Sequence, residues 1–204
     1  MVIVMKSSIF GVGTNDANYS VRPRGGEKRS ICRFYSVWYD MIRRCYSDKY
    51  HTKRPTYKDC TVCEEWLTFS NFRAWMVAQD WEGKEIDKDI LVKGNKVYSP
   101  ENCVFVDRAL NLFTTDHAAG RGGYPIGVHI NGDGYIIGQC SNPFSKSRNA
   151  RLGVYHTTEE AHQAWKKRKH EIACKYADLQ SDERVANALR NRYSSDHLND
   201  KSMV

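Results

Sequence analysis

Residues 126–155 contain three short apolar segments, and the turn between the first two is typical of a β-hairpin. This turn is Asn131-Gly-Asp-Gly134, whose Asn-Gly and Asp-Gly steps are the preferred residues of tight hairpin turns. The flanking segments 126–130 and 135–140 are therefore predicted to form paired antiparallel strands. After a longer loop, residues 151–155 are predicted to form a third strand.

A helix is predicted directly after these strands. The segment Thr157-Thr-Glu-Glu160 matches a capping box, and the pattern of a helix then continues to about residue 177. Three strands and one helix predict a compact module over residues 124–178. The Gly-rich composition of residues 120–125 indicates a linker before this module.

Both ends of the chain are predicted to lie outside the packed domains. Residues 1–29 are rich in Gly and Asn in their second half and predict an N-terminal arm. Residues 179–204 form a polar tail, in which one exposed helix is predicted at 183–192.

Helical periodicity begins at Ser30. The apolar side chains of the next sixteen residues form one stripe: Ile31, Phe34, Tyr35, Trp38, Met41, Ile42 and Cys45. Residues 47–62 are polar and are predicted to be a loop. A second helix is predicted over 71–81, with Ser70 as its N-cap.

Residues 85–113 predict a strand, a turn, a second strand and a helix. The strands are expected at 85–92 and 103–106, with the turn at Gly94-Asn95 between them. Asp107 is at the N-cap position of the helix predicted over 108–113. Together with the C-terminal module, this order predicts an α+β fold.

Charge is concentrated near the N-terminus. Residues 22–58 hold eleven Lys and Arg residues and three acidic ones, a net charge of +8, and several aromatic residues lie between them. Such a stretch suits a polyanion such as nucleic acid, although a solvated basic face is the alternative. Arg33, Arg43 and Arg44 lie off the apolar stripe, where they could contact phosphates.

The sequence lacks the features of membrane and secreted proteins. Its apolar runs are far shorter than the roughly 20 residues of a spanning helix, and the N-terminus has no signal-peptide pattern. We therefore expect a cytoplasmic protein with reduced cysteines, without a membrane partner or a small-molecule cofactor.

Asp87 and Asn111 are candidate metal ligands. If the strand-turn-strand-helix unit folds back on itself, the carboxylate on the first strand faces the amide on the helix. One carboxylate and one amide oxygen suit Mg²⁺ or Mn²⁺, which can polarise a phosphodiester. A surface Asp and a capping Asn would explain the same residues.

Three segments of this region resemble the ββα-metal core of His-Asn-His (HNH) endonucleases, especially phage members. They are IDKDILVKGNKVYSPENCVFV at 86–106, WYDMIRRCY at 38–46 and CTVCEEWLTFSNF at 60–72. The resemblance covers roughly residues 30–113, and we expect a nuclease domain over 30–119. By position it implies that Asp87 and Asn111 bind the metal ion and that Asn102 is the turn Asn that holds the core together.

The chain departs from this family at Lys88, which lies where the family usually has its general-base His. A lysine with its ordinary pKa of about 10.4 is protonated at neutral pH and cannot accept a proton from water. Lys88 could instead bind phosphate. The side chains that could replace the base are His51, Tyr50, Asp89 and Tyr98.

Cys60-x-x-Cys63 is a knuckle-like pair, and Cys45 and Cys103 lie where the folded unit could bring them close to it. Four thiolates would hold a structural Zn²⁺. Buried free thiols are the alternative interpretation, because the chain has no second Cys-x-x-Cys pair.

The C-terminal module resembles the Apetala/ethylene-response-factor (integrase-type) DNA-binding domain. The resemblance depends on YPIGVH at 124–129, GYIIGQC at 134–140, LGVY at 152–155 and TEEAH at 158–162. It implies a three-stranded sheet that enters the major groove of DNA. The side chains expected to read or grip the duplex are His129, Gln139, Arg148 and Arg151.

The sequence leaves three functions open. The first is a metal-dependent DNA endonuclease of the phage or homing type, directed to double-stranded DNA by its C-terminal module. The second is a DNA-binding regulator or antagonist built on a disabled nuclease core, which Lys88 favours. An interaction module unrelated to nucleic acid is the third, and the basic stretch argues against it.

Overall fold

The computed structural model describes residues 8–22, 31–115, 123–145 and 149–194. Its contacts divide the chain into two compact units, residues 1–106 and 107–204. The fold is α+β, as predicted, with several small sheets and six α-helices in the described parts. The helices are α1 Arg33–Tyr46, α2 Asp48–Lys53, α3 Phe69–Val77, α4 Arg108–Thr114, α5 Thr158–Ala177 and α6 Glu183–Arg192. The strands are β1 Ser8–Ile9, β2 Gly13–Thr14, β3 Thr61–Val62, β4 Glu85–Asp87, β5 Val97–Tyr98, β6 Val104–Val106, β7 Val128–Ile130, β8 Ile136–Ser141 and β9 Asn149–Tyr155.

Helix α1 forms the centre of the first unit. Its predicted apolar stripe is largely confirmed, because Trp38, Met41 and Ile42 have no exposed surface. The indole N–H of Trp38 donates to the backbone oxygen of Trp66 at 2.7 Å. This bond satisfies the one polar atom of a fully buried ring.

Helix α3 is shorter than predicted and begins earlier, at Phe69 with Thr68 at the N-cap. Ser70 is not the cap because its hydroxyl and backbone N–H both donate to the carboxylate of Asp16, at 2.6 and 2.9 Å. This interaction ties the N-terminal arm to α3 and shows that part of the arm is ordered. Strands β1 and β2 form a small hairpin in the same arm.

The region predicted as a loop over 47–62 contains regular structure. Helix α2 begins at an N-cap formed by Ser47, whose hydroxyl accepts from the N–H of Tyr50. Strand β3 then pairs in parallel with β5, Thr61 opposite Val97. The two-residue length of these strands explains why no alternation was visible in the sequence.

Strand β4 covers only the first part of the predicted strand at 85–92. It pairs antiparallel with β6, and Asp87 lies opposite Val104. The strand ends there because the Asp87 carboxylate bonds to the backbone that follows, which turns the chain away from the sheet.

The second unit contains a three-stranded antiparallel sheet in the order β7-β8-β9, as predicted. The hairpin turn is closed by Asn131, whose side-chain oxygen accepts from the N–H groups of Asp133 and Tyr135. The capping box at the start of α5 is also confirmed, because Thr157 and Glu160 bond reciprocally.

Helix α6 has the predicted bounds but is not an exposed helix. Val185, Ala186 and Leu189 are buried, and the helix packs against α5. Its apolar side chains are few but recur at helical spacing, which is enough to bury one face. Among the described residues, no helix combines the length and apolar character needed to cross a bilayer.

Candidate nucleic-acid interface and metal ligands

Asp87 is the last residue of β4 and is half-buried. Its Oδ1 accepts hydrogen bonds from the N–H of Asp89 at 2.7 Å and of Ile90 at 2.6 Å. Two donors on one oxygen fix the orientation of the carboxylate. The oxygen chemistry of this side chain fits a hard cation such as Mg²⁺.

Lys88 is buried, with 6% of its surface exposed. Its ammonium donates to Asp89 Oδ2 and to the backbone oxygen of Asn95, both at 2.7 Å. The rings of Tyr57 and Tyr98 lie with their centroids 6.0 and 5.9 Å from it. These contacts make Lys88 a support for the loop that follows β4.

Asn95 is the other residue that supports this loop, and the sequence pattern indicated only that it lies in a turn. Its side-chain amide donates to the backbone oxygens of Lys88 at 2.9 Å and Val97 at 2.8 Å, and its Oδ1 accepts from Val97 N–H. Asn102 was the predicted turn residue. It is half-buried, and its backbone N–H donates to the oxygen of Ser99.

Asn111 lies in α4 and is half-buried. Its backbone N–H bonds to Asp107 as part of the helix, and its backbone oxygen accepts from the hydroxyls of Thr114 and Thr115. Asp87 belongs to the first unit and Asn111 to the second. Their convergence on one divalent cation stays a prediction.

The four candidate bases have different surroundings. Tyr98 is buried, and burial raises its pKa well above the ordinary value, so the phenol stays protonated. Asp89 pairs with Lys88, and the ring of Tyr50 packs edge-on against Tyr57.

His51 is held through one of its ring nitrogens. Its Nε2 lies 2.9 Å from the backbone oxygen of Arg44. A carbonyl only accepts, so Nε2 is the donor of this hydrogen bond.

The cysteines predicted to bind zinc are mostly buried thiols. Cys45, Cys60 and Cys103 are buried and Cys63 is half-buried, and none of the four forms a disulfide. Burial raises the pKa of Cys45 to about 12 and also raises that of Cys103. Within the described ranges, no three His, Cys, Asp or Glu side chains form a group that could hold a metal ion. Zinc binding stays a prediction.

The three arginines of α1 differ in exposure. Arg33 is exposed, whereas Arg43 and Arg44 are half-buried. Arg43 pairs with Asp40 at 3.0 Å, and the guanidinium carbon of Arg44 lies 6.0 Å from the centroid of the Tyr57 ring. Of the three, Arg33 therefore presents its charge most openly to a phosphate.

The side of the three-stranded sheet that faces away from α5 brings together three of the four residues predicted to contact DNA. We call it the outer sheet face, and it consists of His129, Ile137, Gln139, Arg151 and Val154. Gln139 lies directly opposite Arg151, and His129 lies opposite Ile137. His129, Gln139 and Arg151 are all exposed. Arg148, the fourth predicted residue, lies outside the described residues.

Comparison with known proteins found no matching family model, curated protein or solved structure. The functional interpretation of this chain therefore depends on the geometry and chemistry of its own side chains.

Proposed function

We propose that this chain binds double-stranded DNA through the outer sheet face and cleaves it as a metal-dependent endonuclease of the phage or homing type. The observation that carries the DNA-binding part is the exposed pair Gln139 and Arg151, side by side on adjacent strands. Arg can bond bidentately to guanine and Gln to adenine in the major groove.

The charge of the sheet supports the same partner. Strands β7, β8 and β9 contain no Asp or Glu, so no carboxylate on these strands repels phosphate. A two- or three-stranded ribbon is also narrow enough to enter the major groove. The basic stretch of the first unit, with Arg33 exposed, would add contacts to the DNA backbone.

The cleavage part of the proposal depends on the order of elements around Asp87. Two antiparallel strands, β4 and β6, are followed at once by helix α4, which carries Asn111. Asp87 would be a ligand of Mg²⁺ or Mn²⁺, which would supply Lewis-acid stabilisation of the phosphate. Asp87 is held by the N–H groups of Asp89 and Ile90, and this fixed orientation would lower the cost of ordering a ligand.

A second candidate function is DNA binding without cleavage. It is favoured by Lys88, which occupies the position of the usual base and is held by Asp89 and Asn95. An amino group that donates to these two acceptors is bound to the loop and is not free to activate water. In this interpretation, the nuclease-like core is disabled and the chain acts as a regulator or an antagonist of a host system.

A plasmid assay separates the two candidates. Purified protein is incubated with supercoiled plasmid in Mg²⁺ or Mn²⁺ and again in EDTA. The test variant is Asp87→Asn, because an amide oxygen can still accept the two N–H bonds while the charge is lost. The control is Asp59→Ala, an exposed carboxylate in the same unit.

Nicking that needs metal, persists in Asp59→Ala and disappears in Asp87→Asn supports the endonuclease. A gel shift without nicking supports the second candidate. If the protein neither nicks nor shifts DNA at ~50 mM salt, where backbone contacts are strong, both candidates are wrong.

A further inference from the structure

The outer sheet face contains two apolar residues, Ile137 and Val154, beside its polar pair. His129, Ile137 and Val154 lie in register across the three strands. Val154 is 50% exposed, while Ile137 on the central strand is only 9% exposed. The row therefore presents one open valine, with an isoleucine sheltered beside it.

The neighbouring row shows that Val154 points away from the core. Val128, Gly138 and Gly153 are paired across the same strands, one residue along. A Cβ added to Gly138 would lie 3.4 Å from the backbone oxygen of Ala161 in α5, so this second row faces the helix. Because successive side chains of a strand alternate, the row of Val154 faces the opposite side.

The two apolar residues and the polar pair are close enough to contact neighbouring base pairs of one duplex. Ile137 and Gln139 are two residues apart on β8, which corresponds to about 7 Å along a strand. Neighbouring base pairs of DNA are separated by about 3.4 Å, so this spacing spans about two base pairs. Val154 and Arg151 pair with these two residues on the next strand.

We propose that Val154 contacts the methyl group of thymine, so that the chain selects duplexes with a thymine about two base pairs from the purine bound by Gln139 or Arg151. This inference rests on the proposed DNA binding. The thymine methyl is the only apolar group that a base pair shows in the major groove. The strands of this face contain no acidic residue, and Val154 is an exposed apolar side chain among polar ones. This arrangement complements a thymine methyl group beside polar base edges.

The experiment begins with selection from a random duplex pool by the full-length protein. The enriched duplex is then resynthesised with each thymine replaced in turn by deoxyuridine, which lacks only the methyl group. We expect one replacement to weaken binding about fourfold, the value of one buried methyl group. In Val154→Ala, the same deoxyuridine replacement is expected to leave binding unchanged. In Val154→Ile, the replacement is again expected to weaken binding.

The control variant is Val92→Ala, which truncates a valine of similar exposure, 54%, in the first unit. It is expected to keep the fourfold response to deoxyuridine. Binding that is insensitive to every deoxyuridine, or equally sensitive in Val154→Ala, would overturn the thymine contact while leaving DNA binding intact. A protein that binds no duplex at all would overturn both this inference and the proposed function.

Discussion

Gly127 lies against Trp165 at the start of the three-stranded sheet, and its backbone has a φ of +82°. A Cβ at this position would lie 2.1 Å from Trp165 Cγ and 2.5 Å from its Cβ. These atoms are near the root of the Trp side chain and cannot move aside without shifting α5. We expect Gly127→Ala to lower the free energy of unfolding by about 2–5 kcal/mol, from left-handed strain and overpacking together.

Gly134 is a matched control because it has the same φ of +82° and no atom within 4 Å of an added Cβ. Gly134→Ala should lower the free energy of unfolding by the left-handed strain alone, about 1–2 kcal/mol. Urea titration of both variants measures the two free energies. If both variants lose the same free energy of unfolding, the contact with Trp165 adds no penalty at Gly127.

The thiols of Cys45 and Cys103 predict a loss of stability in alkaline solution. Burial raises both pKa values above the ordinary 9.0, that of Cys45 to about 12, so the folded state keeps its protons when the unfolded chain releases them. Stability should be unaffected by these groups below about pH 9. Above it, the free energy of unfolding should fall by up to about 1.4 kcal/mol per pH unit for each thiol.

Unfolding free energies at pH 8, 9 and 10 test this dependence. Cys45→Ala and Cys103→Ala should each have a smaller slope than the natural chain, whatever their stability at pH 8. Thr61→Ala, a substitution at an exposed position of the same unit, should keep the full slope. An unchanged slope in both cysteine variants would contradict the role of the buried thiols.

Single-residue roles were the least predictable part of the candidate site. The sequence singled out Asp87 and Lys88, but their hydrogen bonds to the loop and to Asn95 depend on the path of residues 88–97. Local sequence indicates a turn there without specifying which carbonyl an ammonium will meet. The resemblance to a DNA-binding domain implied one sheet face for His129, Gln139 and Arg151. The register shift between Gly138 and Gln139, which sets Gln139 opposite Arg151, has no signal in the sequence.

Among the elements, those with a local chemical signal were predicted well. The capping box fixed the start of α5 at Thr158, and the Asn-Gly step fixed the hairpin between β7 and β8. Strands β3 and β5 were missed because each has two residues and depends on a partner distant in sequence. Strand β4 was predicted too long for a different reason, because its end is set by the Asp87 side chain rather than by apolar periodicity.

Helix α4 is held at its C-terminus by cations from the two helices that follow it. The ammonium of Lys169 in α5 is 7% exposed, donates to the backbone oxygen of Phe113 at 2.6 Å, and lies 3.8 Å from the centroid of the Phe113 ring. Arg192 in α6 donates to the oxygen of Thr114 at 3.1 Å. Positive charges are favourable at this end of a helix, where carbonyls lack partners.

Lys169→Met should loosen this end of α4 while keeping most of the apolar packing of the side chain. A hydrogen bond to a charged group contributes about 1.5–3 kcal/mol, so amide exchange at the end of α4 should be about 10- to 100-fold faster. Hydrogen exchange measured by NMR resolves these amides from those of the sheet.

Lys175→Met is the control, because Lys175 is exposed on the same helix. It should leave the exchange of α4 unchanged. Equal exchange rates for α4 in Lys169→Met and the natural chain would contradict the anchoring role of the buried ammonium.

At the scale of the whole molecule, the chain consists of two units whose division falls between β6 and α4. The Gly-rich segment at 120–125, which predicted a linker, lies after this division. Composition reports local backbone preference, whereas the extent of a compact unit depends on which side chains pack together. Helix α4 illustrates the difference, because Lys169 and Arg192 anchor its end within the second unit.

Fluorescence anisotropy with labelled duplexes at ~50 mM salt measures whether the outer sheet face binds duplex DNA. The test variant is Gln139→Ala/Arg151→Ala. The control is Gln163→Ala/Lys175→Ala, which removes one amide and one cation from exposed positions of α5. With a preferred duplex selected from the pool, the sheet variant should bind at least about 30-fold more weakly, from the loss of two base contacts. The control should bind less than about threefold more weakly. A sheet variant that binds the selected duplex as tightly as the natural chain would show that this face does not bind DNA.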